Sequence, residues 1–418
     1  FNHFINIIIF NHSDRREIEH DIKKAKRAML KKQEKWFKEL NQCTSIIEQK
    51  GDLFQLVGDP TDQADSLPPD VYKAIIKIKK LFEKGNGENF IISYFVWLTN
   101  EIAGEIIGSQ ELRDKFLTSP QAFTRDRQLT LQDMFILLLT MAGDNLNNEV
   151  YEYFKLKPTQ ATPQAFVERR NLIKPECLEY LFYRVTKACY IICKCMPATD
   201  IFSEFASIFA GDGSDINLAH NPSDTETYID GGKGGKGWNQ DHLNAFFEIR
   251  LSLFANALIQ AKKKTHETGA AVDMIHSMEY EEPALFLGDR GYACLNLLET
   301  IIRKKNLDCL IRAKEGWIKE VAALPMEELD QWMTINVITT QTNEDKERVK
   351  NGEAKYLSGK SVYGKDKVSQ CWDYESEVDV RFRVVRLKLD SGYETLITTL
   401  DEEKYPLETI KKMYFLRW

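Results

Sequence analysis

Two aspartates stand at the ends of short apolar runs. Asp212 follows Ser207-Ile-Phe-Ala-Gly211, and Asp289 follows Ala284-Leu-Phe-Leu-Gly288. An apolar run of that length bounded by small residues reads as a buried strand. Carboxylates at the ends of neighbouring strands converge, and two of them joined by a third can hold a pair of Mg²⁺ ions. Such a pair activates a water or a DNA 3′-hydroxyl and stabilises the leaving oxygen of a phosphoryl transfer. Spacing alone leaves the point open, because an Asp before Gly is most often a turn residue.

Other candidates are weaker. Gly231 to Gly237 reads Gly-Gly-Lys-Gly-Gly-Lys-Gly, but no Ser or Thr follows a Gly-Lys, so a loop is expected, with DNA contact through Lys233 and Lys236 as the alternative. His242 and His266 lack a Cys or His partner at zinc spacing, which argues against a metal role. Asp215 reads as a capping residue, or else as a carboxylate supporting the metal ligands from behind. Lys262 to Lys264 reads as a solvated strand end, with phosphate contact as the alternative, and Glu402, Glu403 and Glu408 read as surface charges. The 8 cysteines form no CxxC pair, so reduced thiols are expected rather than disulfides or zinc.

Several elements must position these residues. Ile18, Ile22, Ala25, Met29, Lys32 and Trp36 make a coiled-coil-like stripe in a helix over 14–42 whose other faces are basic. That basic surface is either solvated or in contact with DNA or a partner helix. Residues 51–69 form a polar connector, and 70–84 a helix opened by Pro68-Pro69 and closed by Gly85-Asn86-Gly87. Residues 93–200 are helical, with a capping box at Thr130-Leu-Gln-Asp133. Thr162-Pro163 starts a helix carrying Arg169 and Arg170; Lys174-Pro175 breaks it, and Glu176 to Lys187 resumes. This pair suits a helix-turn-helix-like DNA module, or simply two packed helices. After 204, strands are expected at 207–209, 245–249, 253–259, 284–287 and 309–312, with a helix at 293–304. A hairpin with a bulge follows at 379–400, where Val380, Phe382 and Val384 alternate with Arg381 and Arg383 before the phase slips to Val385. The net charge of −7 means that nucleic-acid binding has to rest on local basic patches.

Five segments occur in a fixed order: Asp212-Gly-Ser-Asp-Ile-Asn, Asn221-Pro, Asn239-Gln-Asp-His-Leu-Asn-Ala, Leu287-Gly-Asp-Arg-Gly-Tyr292 and Tyr414-Phe-Leu-Arg-Trp418. Over roughly 93–418 the chain resembles the bacterial insertion-sequence transposases with a DDE triad, of the IS-four family with a Tyr-Arg-Glu-Lys signature. The resemblance makes Asp212 and Asp289 the first two metal ligands, and Tyr414 and Arg417 the first two signature residues, which contact DNA phosphate. It implies an RNase H-like core with a β-rich insertion between the second Asp and the Glu. It also implies Mg²⁺ as cofactor, with Mn²⁺ able to substitute. The signature's Glu would fall just past Trp418, so a C-terminally truncated, inactive chain is expected, and the initial Phe1 suggests a fragment.

The reading is therefore an α+β protein whose RNase H-like mixed core follows an all-α N-terminal part. Its segments are a helical extension (1–92), a helical DNA-binding domain (93–200), the first part of the core (201–312), a β-rich insertion (313–400) and the start of the core's C-terminal part (401–418). Arg169, Arg170 and Lys174 are the expected DNA contacts of the helical domain. Expected partners are double-stranded DNA (element ends and target) and a second copy of the chain in a homodimer. The apolar run near Phe10 is too short to span a bilayer, and a cytoplasmic, nucleoid-associated bacterial protein is expected. The rivals are a non-catalytic DNA-binding protein and a stand-alone RNase H-like nuclease.

Overall fold

Apolar residues at helical spacing dominate the chain up to residue 194, and strand-forming runs dominate it from 207 onward. The chain divides accordingly into two units, Phe1–Ile201 and Phe202–Trp418. The structure, a computed structural model, describes residues 35–47, 68–85, 88–125, 127–141, 143–155, 160–194, 202, 204–232, 234–249, 253–280, 282–338, 340, 342–356, 377–390 and 392–415. Most of the expected stripe over 14–42, the connector over 51–67, Lys233 and Arg417 lie outside these residues.

The first unit is helical: α1 (35–47), α2 (Pro69–Gly85), α3 (Glu88–Gly108), α4 (Gln110–Phe116), α5 (Leu131–Thr140), α6 (Leu146–Phe154), α7 (Pro163–Arg170) and α8 (Pro175–Lys194). Buried Phe37, Leu40, Cys43 and Ile47 on α1 and Val71, Ile75 and Ile78 on α2 recur at three- and four-residue steps, as one buried face of a helix requires. The expected boundary at 92/93 falls inside α3. The capping box at α5 forms as expected: Thr130 Oγ1 accepts from Asp133 N at 3.1 Å, and Asp133 Oδ2 accepts from Thr130 N at 3.1 Å. Asp133 Oδ1 also accepts from the Tyr153 hydroxyl at 2.8 Å, which ties α5 to α6. Helix α8 starts at Pro175, where the missing N–H costs nothing, and runs past the expected end at Lys187 to Lys194.

The second unit is α+β, with one ten-stranded mixed sheet consistent with an RNase H-like core. Its strands are β1 (Ser207–Leu218), β2 (Tyr228–Ile229), β3 (Trp238–Glu248), β4 (Leu253–Ala261), β5 (Ala284–Gly288), β6 (Leu307–Ala313), β7 (Leu329–Ile338), β8 (Lys355–Tyr356), β9 (Glu377–Leu389) and β10 (Gly392–Thr398). They lie in the order β2-β3-β1-β5-β6-β10-β9-β7-β8, with β4 also paired to β3. Strands β1, β5 and β6 are parallel to one another; β3 is antiparallel to β1 and β10 antiparallel to β6. The helices are α9 (Glu267–His276), α10 (Leu295–Arg303), α11 (Lys319–Ala322), α12 (Asn343–Asn351) and α13 (Leu407–Tyr414).

Alternate residues of the central strands feed two cores. Phe209, Phe286, Ile311, Val384 and Ile397 pack with α9 and α10, through residues such as Val272, Ile275, Leu297 and Leu298. Their neighbours Ile208, Leu285, Leu287, Leu310, Val385 and Leu396 pack with Phe205, Tyr405 and α13, through Ile410, Met413 and Tyr414. Both faces are thus covered, which is why these strands read as continuous apolar runs. Leu285, Phe286 and Leu287 are at most 1% exposed, and each contributes roughly 2 kcal/mol of burial.

The expected hairpin is β9–β10, but without the bulge. Its register runs unbroken from Leu389↔Gly392 to Arg383↔Thr398. The slip in apolar phase after Val384 arises because β9 is a central strand covered on both faces, so Val384 and Val385 feed opposite cores. The sheet also continues across the expected 312/313 boundary, which lies within β6, and β10 pairs directly with that strand.

Alternation groups Arg381 with Arg383 on a polar side, yet the structure separates them. Arg381 is exposed and stacks over Trp332 at 4.8 Å, whereas Arg383 is fully buried. Arg383 Nε and Nη2 donate to the two Asp330 carboxylate oxygens, and Nη1 donates to the Tyr405 carbonyl at 2.9 Å. A buried guanidinium that loses its counter-charge is strongly destabilising. Because Asp330 is itself partly exposed, the low end of that range applies, and Asp330→Ala is expected to lower stability by about 3 kcal/mol. Arg381→Ala should stay within about 0.5 kcal/mol of the parent. Urea unfolding of the three proteins checks this; equal midpoints for the two variants would refute the role given to Arg383.

Candidate active site

Strands β1 and β5 are hydrogen-bonded neighbours in parallel register, from Ser207↔Ala284 to Ala210↔Leu287. Carrying that register two residues further sets Gly211 beside Gly288 and Asp212 beside Asp289, on strands about 4.8 Å apart. Side-chain alternation turns the glycines toward the core under α9 and α10. Asp212, in phase with Ile208 and Ala210, lies on the α13 side of β1, while Asp289 follows the last residue of β5 and enters a turn.

Packing explains why glycine precedes each aspartate. A Cβ at Gly211 would stand 2.8 Å from Phe286 Cε2 and 3.3 Å from Tyr292 Cζ. One at Gly288 would stand 2.9 Å from Tyr292 Cβ and 3.0 Å from Phe286 Cε1. The two rings meet edge to face at 5.7 Å and fill the space that these side chains would need. Backbone then fixes the carboxylates. Asp212 Oδ1 accepts from Gly213 N at 2.9 Å, Asp289 Oδ1 from Gly291 N at 2.8 Å, and the Asp289 carbonyl from Tyr292 N at 3.0 Å. Asp289 therefore stands at the turn of the Asp-Arg-Gly-Tyr segment as well as at a strand end.

Across the same face lie Arg312 on β6, Glu394 on β10 and Tyr414 at the end of α13. Glu394 is 6% exposed; its Oε2 accepts from Arg312 Nη2 at 3.0 Å and from Arg290 Nη2 at 2.9 Å, and its Oε1 from Arg290 Nη2 at 3.1 Å. The Arg312 guanidinium lies 6.0 Å from the centre of the Tyr414 ring. The hydrogen bond from Arg290 to Glu394 is the main cause that raises the Arg290 pKa above its ordinary value, followed by the Glu394 charge. Tyr414 is 6% exposed and packs in the α13 core.

Behind the aspartates, on the α9 face, His242 bridges two more carboxylates. Its Nδ1 lies 2.6 Å from Asp215 Oδ1 and its Nε2 3.2 Å from Glu267 Oε1. The second contact falls short of hydrogen-bond geometry, and Nε2 has no hydrogen-bond partner. Lys262 Nζ reaches Asp215 at 2.6 Å. The His242 and Lys262 hydrogen bonds hold the Asp215 carboxyl below its ordinary range. Glu267 also approaches Asp289: a Cβ at Gly291 would meet Asp289 Oδ1 at 3.1 Å and Glu267 Oε2 at 3.3 Å. Lys263 and Lys264 reach the Thr225 carbonyl at 3.2 Å and Glu226 at 2.8 Å, so the expected solvated strand end is tied to the loop after β1.

In the first unit, three expected DNA contacts occupy different settings. Arg169 donates to the Leu129 carbonyl at 3.0 and 2.7 Å and stacks on Phe123 at 4.3 Å. Lys174 Nζ donates to the Asp114 carbonyl at 2.7 Å. Arg170 is exposed. Arg417 lies outside the described residues.

Residue types alone did not single out Glu394, Glu267 or His242. His242 reads from the sequence only as an improbable zinc ligand, and Glu394 and Glu267 come beside Arg290 and Asp289 only through sheet pairing and the first turn of α9. Hard carboxylate oxygens of Asp212, midway along β1, and of Asp289, just after β5, each behind a glycine, suit a Mg²⁺-like ion. Among the described residues, no group of three or more His, Cys, Asp or Glu side chains is placed to hold a metal. None of the described helices is long and apolar enough to cross a membrane. Among curated proteins, none matches the chain. The family model described as "Transposase DDE domain" matches residues 203–418, more than half the chain and nearly the whole of the second unit. The chain belongs to the DDE transposase family.

Proposed function

We propose that the protein is an insertion-sequence transposase that binds the terminal repeats of its element and cuts and rejoins DNA at Asp212 and Asp289. The observation that supports this reading is the parallel pairing of β1, which carries Asp212, with β5, which Asp289 follows, each aspartate being preceded by a glycine packed on the Phe286 and Tyr292 rings. Together their carboxylates supply fixed anionic oxygens for divalent ions, Mg²⁺ or in its place Mn²⁺. When bound, such ions activate the attacking water or 3′-hydroxyl and stabilise the leaving oxygen. The residues of the chain orient the phosphodiester so that the new P–O bond forms in line as the P–O3′ bond breaks.

Tyr414 and Arg417 are proposed phosphate contacts beside the site, within a Tyr-Arg-Glu-Lys signature of the IS-four type. Arg suits this role because its planar fork pairs two phosphate oxygens. The helical unit supplies duplex affinity through Arg169, Arg170 and Lys174, and two copies of the chain pair two element ends.

The reading generates two predictions. In Mg²⁺-dependent cleavage of element ends, Asp212→Asn or Asp289→Asn should abolish the reaction while leaving duplex binding in place. Cleavage that survives either substitution, scored on end-labelled DNA, would remove both aspartates from the mechanism. For the helical unit, Arg170→Ala should leave the thermal midpoint unchanged and make the salt dependence of duplex binding shallower by about 0.9 in log–log slope, as loss of one phosphate contact requires. Arg169→Ala should lower the midpoint as well, because its guanidinium satisfies the Leu129 carbonyl. An unchanged slope for Arg170→Ala would take that residue out of the DNA interface.

A further inference from the structure

We propose that Arg290 is a phosphate-binding residue of the DNA site and that the buried carboxylate of Glu394 aims it. The inference rests on the reading of Asp212 and Asp289 as the place where DNA is cut. Arg290 directly follows Asp289, so its backbone shares the turn that fixes that carboxylate. Its side chain is 50% exposed, whereas Glu394 is 8% exposed.

An exposed arginine paired with an exposed acid would carry little meaning, since such pairs contribute almost nothing. Here the acid is buried, and burying a carboxylate is costly unless it is fully paired. Arg312, itself only 20% exposed, already provides a counter-charge at 3.0 Å. Glu394 therefore does not need a second guanidinium for neutrality. It receives one nevertheless, and from a residue that reaches out toward solvent next to Asp289.

Both hydrogen bonds from Arg290 to Glu394 use Nη2, so the Nε–H and Nη1–H groups stay outside the pair. A guanidinium held through one nitrogen is oriented yet keeps donors for another anion. The Nε–H and Nη1–H donors lie on separate edges of the guanidinium, so each can donate singly to a phosphate oxygen while the charge stays fixed beside Asp289. Glu394 thereby acts as a positioning residue: it touches no substrate, restricts the rotamers of a long side chain, and so reduces the entropy lost when phosphate is bound. The Arg312 guanidinium, also on Glu394, reaches the ring of Tyr414, so the carboxylate links the second aspartate's turn to the end of α13.

The test uses the whole chain, a fluorescent DNA duplex of mixed sequence, and EDTA to remove metal. Binding is measured across a salt series for the parent, Asp212→Asn, Asp289→Asn, Arg290→Ala, Arg290→Lys and Glu394→Gln. Removing the Asp289 charge should tighten binding several-fold if a phosphate lies beside it. Should neither Asp289→Asn nor Asp212→Asn change the affinity, DNA does not lie at the strand tips, and the functional reading falls together with this inference. Given tightening by Asp289→Asn, Arg290→Ala should weaken binding and flatten the salt slope by about 0.9. Arg290→Lys should restore the slope but not the full affinity, since it keeps the charge and loses the planar guanidinium that Glu394 orients. Tightening by Asp289→Asn with an unchanged slope for Arg290→Ala overturns the inference and leaves the functional reading standing. Arg290 is exposed, so its variants fold whatever becomes of Glu394→Gln. Where Glu394→Gln does fold, its affinity should fall between the parent and Arg290→Ala, and a parental affinity would remove Glu394 from the positioning role.

Discussion

Everything at the strand tips depends on how closely β1 and β5 lie against the Phe286 and Tyr292 rings. Gly211 and Gly288 admit those rings to distances that a Cβ would forbid, and the parallel register then levels the two aspartates. Glycine within a strand ordinarily weakens it. Here the loss is offset by an aromatic pair that is almost wholly buried. The same contact ties the Asp-Arg-Gly-Tyr turn to the sheet, because Tyr292 is both its last residue and the ring that fills the space between the glycines. One packing solution thus places the second carboxylate, the neighbouring Arg290 and the end of β5 together. Any residue larger than glycine at 211 or 288 would displace all three.

The far side of the sheet explains how that arrangement stays rigid. Strands β9 and β7 extend the sheet beyond β10, and β9 is covered on both faces, burying Arg383 and Arg386 completely. Arg386 donates to Thr395 on β10 at 3.2 Å and to the Leu324 carbonyl at 3.2 Å, while Arg383 joins β7 to the loop before α13. Two buried guanidiniums are expensive in isolation, but each lies among carbonyls and side-chain oxygens that no apolar residue would satisfy. They fix where β10 and α13 sit relative to β6. That in turn fixes Glu394 and Tyr414, which the site face presents toward Asp289.

Much of the fold was legible because its signals are local. Apolar runs marked β5 and β6, proline and threonine marked the starts of α5, α7 and α8, and a turn marked the β9–β10 hairpin. Lengths were less legible: β1 was expected to end at Phe209 but runs to Leu218. Its later half, Asp212 to Leu218, is largely polar and exposed and exists as a strand because β3 pairs with it, from Asp212↔Ala245 to Leu218↔Asn239. Hydrophobic alternation cannot register such an extension. The bulge inferred in β9 failed for the opposite reason: burial on both faces erases alternation, and the erased pattern imitates a slipped register. At the site, the expected strand end holds for Asp289, which follows β5, whereas Asp212 lies midway along β1. Glu394 and Glu267 carry no signal in their own neighbourhoods, and His242 only its place in the Asn239-Gln-Asp-His-Leu-Asn-Ala segment. Only tertiary pairing brings them there.

The charge layout of the site follows from where the covering layers stop. Along β1 burial ends at Gly211 and exposure begins at Asp212, so the first aspartate stands at the rim where both helical layers give out. A carboxylate at such a rim stays open to solvent yet borrows the rigidity of the buried strand behind it. Carboxylates alone would repel DNA, and the chain as a whole carries −7. The compensating cations are therefore held by structure: Lys262 on Asp215 behind the rim, and Arg290 and Arg312 on Glu394 beside it. Each acid that holds these cations belongs to a strand of the same sheet, Asp215 to β1 and Glu394 to β10, so the positive charges move with the aspartates rather than with the surface. A net-acidic chain can in this way offer an anionic substrate a locally balanced site, without the broad basic surface that its composition lacks.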